Sequence, residues 1–353
     1  MAIKAKDLAE KLGVSRATVS LLLNNKSGLS DKTRKELTDK VNAMGLGYMF
    51  SDKNNECESS TLTEPLNKSI AFVIYKRGGE LMEQTPFFPL ILDGLEATAK
   101  KHGYRLMIHN IVRREDMQQQ MSYLLSSGCK GIVVFATEMI GDDVEPFQDL
   151  KIPVVLLDNY YLDRTINAVT LNNEQGTYAL VKSLYEKGHR KIGYLGSGVN
   201  IASFQERKDC FFRALRKFGI NGMESYCFDI GYPEVNAYNG FVKVAESRSP
   251  MPTAFLSDND VVAFGAVKAM THLGIRVPQD ISVVGFDDRP ICQMIDPPLT
   301  TVRIPRFLWG GEAVELLVNK IEQAQHRIES HVKVEVCVEL IERESVAEIP
   351  PYK

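Results

Sequence analysis

Five side chains in the body of this chain have the chemistry of a binding cleft. Asp158 closes the apolar run "PVVLLD", and the Asp287–Asp288 pair closes "ISVVGFDD". Asn259 lies in "SDND", just past "PTAFL", and Arg207 opens the helix after "GYLGSG". Carboxylate, amide and guanidinium groups converging on one cleft suit a polyhydroxylated ligand, because every hydroxyl both donates and accepts. Phe87 and Phe88, at a helix start, would add flat apolar surface for a ring face. The competing reading makes Asp158, Asp260 and Asp288 helix caps and both phenylalanines core.

Other motifs are weaker. "GYLGSG" lacks the G-x-G-x-x-G order of a dinucleotide fingerprint. "DND" and "FDD" have no Glu or His partner at ligand spacing, and the six histidines show neither H-x-x-x-H nor H-E-x-x-H, so no metal or other cofactor is expected. Neither a G-x-S-x-G elbow nor a Cys–His pair appears by spacing, so the chain is not expected to be an enzyme.

The elements that would carry the cleft residues are legible. From Ile70 the text alternates short apolar runs ("SIAFVIY", "RLMIHN", "GIVVFA", "PVVLLD") with amphipathic helices such as "PLILDGLEATAKKHGY" and "MQQQMSYLLSSG". This βαβ rhythm predicts an α/β fold with parallel sheets covered by helices on both faces. The rhythm restarts at "GTYALVKSLYEKGHRKIGYLGS", giving two doubly wound halves whose ligand would lie between them, at the C-terminal strand ends.

The first fifty residues read differently. "KDLAEKLGVSRATVSLLLNNKSGLSDKTRKELTDKVNAMG" breaks into three short helices. Leu8, Ala9 and Leu12 form one apolar stripe; Val19, Leu22 and Leu23 follow at helical spacing; Leu37, Val41 and Met44 complete the inward face. Ser15 is placed to cap the second helix, about Arg16 to Asn24. The tight "LGVS" link is what a helix-turn-helix needs, and an outward helix bearing Arg16, Thr18 and Ser20 can enter a major groove. The alternative is a small helical bundle with a solvated polar face.

Charge agrees with this division. Residues 1–50 hold nine Lys/Arg against five Asp/Glu, a net +4, which leaves the remainder at −7 in a chain of net −3. A basic head on an acidic body assigns the anionic partner to the head alone. No apolar run reaches the roughly 18–20 residues of a membrane span. No apolar signal core precedes a cleavage site, and the six cysteines lack C-x-x-C spacing, so a cytoplasmic protein with reduced thiols is expected.

"DLAEKLGVSRATVSLLLNN" followed by "LSDKTRKEL" resembles the DNA-binding head of the LacI/GalR (lactose-repressor) family. The likeness continues in "PFFPLILDGLEATAKKHGY", "GHRKIGYLGS", "PTAFLSDNDVVAFGAV", "RVPQDISVVGFDD", "DPPLTTVRIP" and "ELIERES", covering most of residues 70–347. It implies a periplasmic-binding-protein-like core of two lobes joined by three crossings. By position, Arg16 and Ala17 would read bases, while Ser15, Thr18, Ser20 and Asn24 would contact or support the DNA backbone. Leu21 departs, standing where the family commonly has an arginine; a leucine can touch a thymine methyl but cannot chelate guanine. The family's pocket positions fall on Phe88, Asp158, Arg207, Asn259 and Asp287. Phe135 replaces a pocket asparagine of the lactose repressor, which implies a less polar effector.

The resemblance also locates a departure. Family members usually carry Pro-Asn and then A-R-x-L after the head, a hinge helix whose leucine wedges into the minor groove. Ser51–Ser69, "SDKNNECESSTLTEPLNKS", has neither, and Pro65 opposes a helix there. Met49 and Phe50 would be the substitute wedge, and coupling would then run through head spacing.

The expected organisation is a helix-turn-helix domain at 1–48, a linker at 49–68, an effector-binding and dimerisation core at 69–347 and a tail at 348–353. Lobe one would take 69–166 and 298–326, and lobe two 167–297 and 327–347. The expected protein is a homodimeric transcriptional regulator, a repressor, binding double-stranded operator DNA under control of a sugar or related metabolite. A sugar sensor without DNA function is the rival reading.

Overall fold

The computed structural model describes residue 9 and residues 12–23, 29–43, 68–79, 88–247, 250–325 and 330–350. The chain separates into two compact units, Met1–Pro65 and Leu66–Lys353.

In the first unit, helices Arg16–Leu23 and Asp31–Ala43 are each opened by a serine. The Ser15 hydroxyl accepts the Thr18 N–H at 3.0 Å, and the Ser30 hydroxyl accepts that of Thr33 at 3.2 Å. Each cap satisfies an N–H that has no partner within its helix. Gly13 takes a φ of +67° in the turn before Ser15, a conformation that costs glycine nothing. Ala9, Leu12, Val19, Leu22, Leu37 and Val41 form the core of the head. Leu8, Met44 and the Leu23 side chain lie outside the described residues, as does the linker from 49 to 67.

The second unit is built on strands β1 (Ser69–Lys76), β2 (Arg105–Val112), β3 (Ile132–Phe135), β4 (Val154–Leu157), β5 (Asn167–Leu171), β6 (Ile192–Gly196), β7 (Cys227–Asp229), β8 (Ala254–Ser257), β9 (Ser282–Val284), β10 (Thr301–Arg303), β11 (Lys333–Val336) and β12 (Glu339–Ile341). One parallel sheet runs β11-β5-β4-β3-β1-β2 and a second runs β7-β6-β8-β9; β10 and β12 pair antiparallel. Strands β3, β4 and β5 are buried at every residue, as expected of parallel strands covered on both faces.

Two strands correct the expected lobe boundaries. β5, placed in lobe two by the sequence, pairs with β4 through Val155↔Asn167, and β11 pairs with β5 through Lys333↔Ala168. Both therefore complete the first sheet, and the first crossing follows Leu171. A fully buried strand carries no alternation to show which sheet it joins.

Helices Pro89–Lys101 and Arg306–Gln325 pack on the first sheet in backbone contact. A Cβ on Gly94 would lie 2.0 Å from the Phe307 carbonyl oxygen, and one on Gly310 would lie 2.3 Å from that of Ile91. This approach seats the buried Trp309 edge-on to Phe135, with ring centroids 6.1 Å apart. It also fixes the strand end from which Phe135 faces the cleft.

Candidate effector cleft and DNA-reading helix

Between the two sheets lies a cavity of about 530 Å³, its open mouth included, with Phe88, Phe135, Asp158, Arg207, Asn259 and Asp287 in its walls. All six were picked from sequence. Phe87, the seventh, lies outside the described residues.

Each is positioned by its own element. Asp158 follows β4 with a φ of +73°; its N–H donates to the Val169 carbonyl at 3.0 Å, which turns the side chain off the sheet. Thr137 Oγ1 donates to Asp158 Oδ2 at 2.6 Å. Burial pushes the Asp158 carboxyl up to about 7, against the lowering effects of Thr137 and Arg207. Asp287 follows β9 with a φ of +113°, its N–H donating to the Val302 carbonyl at 2.8 Å and its own carbonyl accepting from Arg306. Two positive-φ aspartates thus stand at strand ends on facing walls, a strain that localises to functional sites.

Arg207 lies within helix Ala202–Lys217 rather than at its opening. Its guanidinium donates to Asn173 Oδ1 at 2.9 Å, to the Asp258 carbonyl at 2.7 Å and to Asp287 Oδ1 at 3.5 Å, and it stacks 3.7 Å from the Phe286 ring centroid. A buried guanidinium held on three sides and over one face is preorganised for a ligand.

Asn259 caps helix Asp260–His272, its Oδ1 accepting the N–H groups of Val261 and Val262 at 3.1 Å each. The capping function weighed for the aspartates thus falls to Asn259, and its amide nitrogen is the end suited to a ligand. Asp260 accepts from Thr301 Oγ1 and the Arg289 N–H, while Asp288 pairs with Arg303 and Arg343. Phe88 meets Phe135 edge-on at 5.1 Å, and Phe135 is almost fully buried, so it is both cavity floor and core.

The cavity also takes in Thr137, Leu171, Ser203, Phe204, Tyr232 and Arg289, which sequence reasoning missed. The strand-end rule that found Asp158 could have found Thr137 and Leu171; nothing local singles out Tyr232.

In the head, Ser15, Arg16 and Ser20 are exposed on the second helix of the helix-turn-helix, with Thr18 and Leu21 partly so. Ser15 and Thr18 hydroxyls lie 2.9 Å apart, and the Leu21 carbonyl accepts from Arg34. Asn24 and the Ala17 side chain lie outside the described residues.

Residues 4–45 match the profile described as bacterial regulatory proteins, lacI family, and residues 181–346 match a periplasmic binding protein-like domain. The chain thus joins a head of the lacI regulatory type to a periplasmic binding protein-like domain. It is 28% identical over 346 residues to the HTH-type transcriptional repressor PurR of Mannheimia succiniciproducens, covering 98% of each chain. It is also 28% identical over 351 residues to PurR of Edwardsiella ictaluri, covering 98% of this chain and 97% of that one. Among solved structures, the lac repressor dimer bound to operator and the anti-inducer ONPF superposes with a TM-score of 0.67 at 22% identity, covering 98% of this chain and all of that one. The transcriptional regulator CelR–cellobiose complex superposes with a TM-score of 0.69 at 20% identity, with the same coverage. These likenesses agree with a helix-turn-helix head followed by a two-lobed α/β core. No helix among its described residues is long and apolar enough to cross a membrane.

Proposed function

We propose that this chain is a cytoplasmic, homodimeric repressor of the LacI family whose operator affinity is set by a small hydroxylated metabolite held between its lobes. In this reading residues 1–48 are the DNA-binding domain, 49–68 the linker, 69–347 the core and 348–353 the tail. Arg16 and Ala17 read bases, Leu21 meets an apolar base edge, and Ser15, Thr18, Ser20 and Asn24 position the helix on phosphates. Phe87, Phe88, Phe135, Asp158, Arg207, Asn259 and Asp287 hold the effector, and the same groups bind without doing chemistry.

The observation that carries this reading is the meeting, in one cavity, of six residues chosen from widely separated stretches. Dimerisation follows from readout: one eight-residue helix spans too few base pairs for specificity, and two heads about one helical turn apart supply the rest. Binding to duplexes from the chain's own promoter region, titrated with salt and repeated with candidate effectors, tests it. Sequence-selective affinity that falls steeply with salt and shifts with a ligand is expected, because several phosphate contacts release counterions. Weak binding indifferent to sequence would refute the DNA-reading half.

A further inference from the structure

The excess acid of residues 51–353 is not spread evenly. In the first sheet β4, β3, β1 and β2 are consecutive neighbours, and each is entered through a cation. Lys151 stands shortly before β4, Lys130 before β3 and Lys68 before β1, and Arg105 is the first residue of β2. Strand pairing brings them level. Arg105 lies opposite Ser69, its N–H donating to the Lys68 carbonyl at 3.0 Å, and the Lys130 N–H donates to the Ser69 carbonyl at 2.7 Å. The Ile132 N–H donates to the Pro153 carbonyl at 2.9 Å, which sets Lys130 and Lys151 at matching depth. With neighbouring strands about 4.8 Å apart, the four cations make a row about 14 Å long.

All four side chains are exposed, and none pairs with a described residue. Other cations at this end of the sheet are accounted for. Lys101 and His102 hold Glu315 at 2.7 and 2.9 Å, and Lys100 closes helix Pro89–Lys101, where the helix dipole favours positive charge. The row has neither explanation. Lys130 and Lys151 stand beyond helices that end at Ser126 and Gln148, Arg105 is within a strand, and Lys68 adjoins one. Among the described residues leading into these four strands Asp149 is the one acid, and Glu322 lies near Tyr104 from helix Arg306–Gln325. Positive charge therefore prevails here on a core that is acidic as a whole.

The row lies at the strand starts, whereas Phe135 and Asp158 lie at the far ends of β3 and β4, so a partner there does not compete with a cleft ligand. The chain enters the core at Lys68, within the row. A duplex held by the head is thus tethered to it through residues 49–67, at most about 65 Å when fully extended. A contact made inside one tethered complex needs little affinity of its own. Level, unpaired cations suit the phosphates of duplex DNA, which carries about one negative charge per 1.7 Å of axis. Resting on the reading of the head as a DNA-binding domain, we propose that Lys68, Arg105, Lys130 and Lys151 contact the phosphate backbone of the duplex that the head reads, without reading its bases.

The test is the salt dependence of duplex binding by the full chain, followed by fluorescence anisotropy from about 50 to 200 mM salt. The probes are a promoter-region duplex and a scrambled duplex of the same length. The double variant Lys130→Gln, Lys151→Gln removes two phosphate contacts, so the slope of log affinity against log salt should become shallower by about 1.8. Its affinity should then fall about tenfold less than the parent's across that range. Both duplexes should be weakened alike, as phosphate contacts require, whereas Arg16→Ala should weaken the promoter duplex selectively. Lys130→Arg with Lys151→Arg keeps both charges and should bind as the parent does. Lys191→Gln with Lys243→Gln removes two exposed cations of the second lobe, controls for net charge, and should leave the slope unchanged. A melting temperature within about 1 °C of the parent's shows that each variant is folded. A slope in the Lys130/Lys151 glutamine variant equal to the parent's, or matched by the Lys191/Lys243 variant, overturns the proposal. Selective weakening by Arg16→Ala in that case would leave the reading of the head standing. A parent chain without salt-dependent, sequence-selective binding would remove both.

Discussion

Replacing Arg207 with methionine removes the charge and the donors while keeping much of the stem's bulk against Phe286. Asn173 Oδ1 and the Asp258 carbonyl then lose their donor, and Asp287 loses the nearer of its two cations. Breaking one side of a buried ion pair costs about 3–5 kcal/mol, and Arg289 near Asp287 places the expectation at the lower end, about 3 kcal/mol. With a shift of roughly 2–4 °C per kcal/mol for a domain of this size, the core should melt about 6–12 °C lower. Differential scanning calorimetry of the full chain measures this, with operator binding followed in parallel with and without effector. The ligand response should vanish while the head still binds DNA. A double variant with Asp287→Asn separates charge from packing. If Arg207 acts chiefly by neutralising Asp287, the pair should cost less than the sum of the singles by at least about 1 kcal/mol. A single variant that melts within about 1 °C of the parent, or strictly additive costs, would refute this account of the pocket.

Four further outcomes follow from particular residues. Gly94→Ala should destabilise the core by about 2 kcal/mol despite alanine's better helix propensity, because the new Cβ meets the Phe307 backbone rather than a movable side chain; urea titration reads the change. His189 is buried between Thr253 and the Ala347 carbonyl, and burial lowers its pKa to about 4. Between about pH 6.5 and 4 the unfolded chain takes up a proton that the folded chain refuses, so its contribution to stability falls with pH across that window. The melting-temperature difference between His189→Gln and the parent should narrow or reverse from pH 7 to 4.5, and a difference constant with pH would count against the assignment. In the head, Ser15→Ala should cost about 1 kcal/mol of head stability by circular dichroism. Arg16→Ala should weaken the preferred operator by about 1–3 kcal/mol while leaving non-specific binding closer to unchanged, measured by competition.

The sequence alone determined the two kinds of domain, the strand–helix rhythm of the core and five of the residues around the cavity, Phe135 coming only from the family resemblance. These are local properties: apolar periodicity reports which face of an element is buried, a serine before a helix reports a cap, and a polar residue ending an apolar run reports a strand tip. The likeness of the head to a known family then gave its polar residues a purpose that their spacing alone shared with any small helical bundle.

Only the tertiary structure decided which strand joins which sheet. The runs forming β5 and β11 are buried or nearly edge-like by pattern, yet their membership in the first sheet depends on register with β4 and with each other. The same holds for charge. In sequence, Asp287 and Asp288 are twin acids; in space one faces the cavity near Arg207 and Arg289, while the other is clamped by Arg303 and Arg343. Arg289 became visible as a cavity residue only when the turn after β9 was seen to deliver it to the cavity wall. Pairing energies depend on distance in three dimensions, and the crossings that bring these residues together are set by packing over the whole core, which no window of the chain contains.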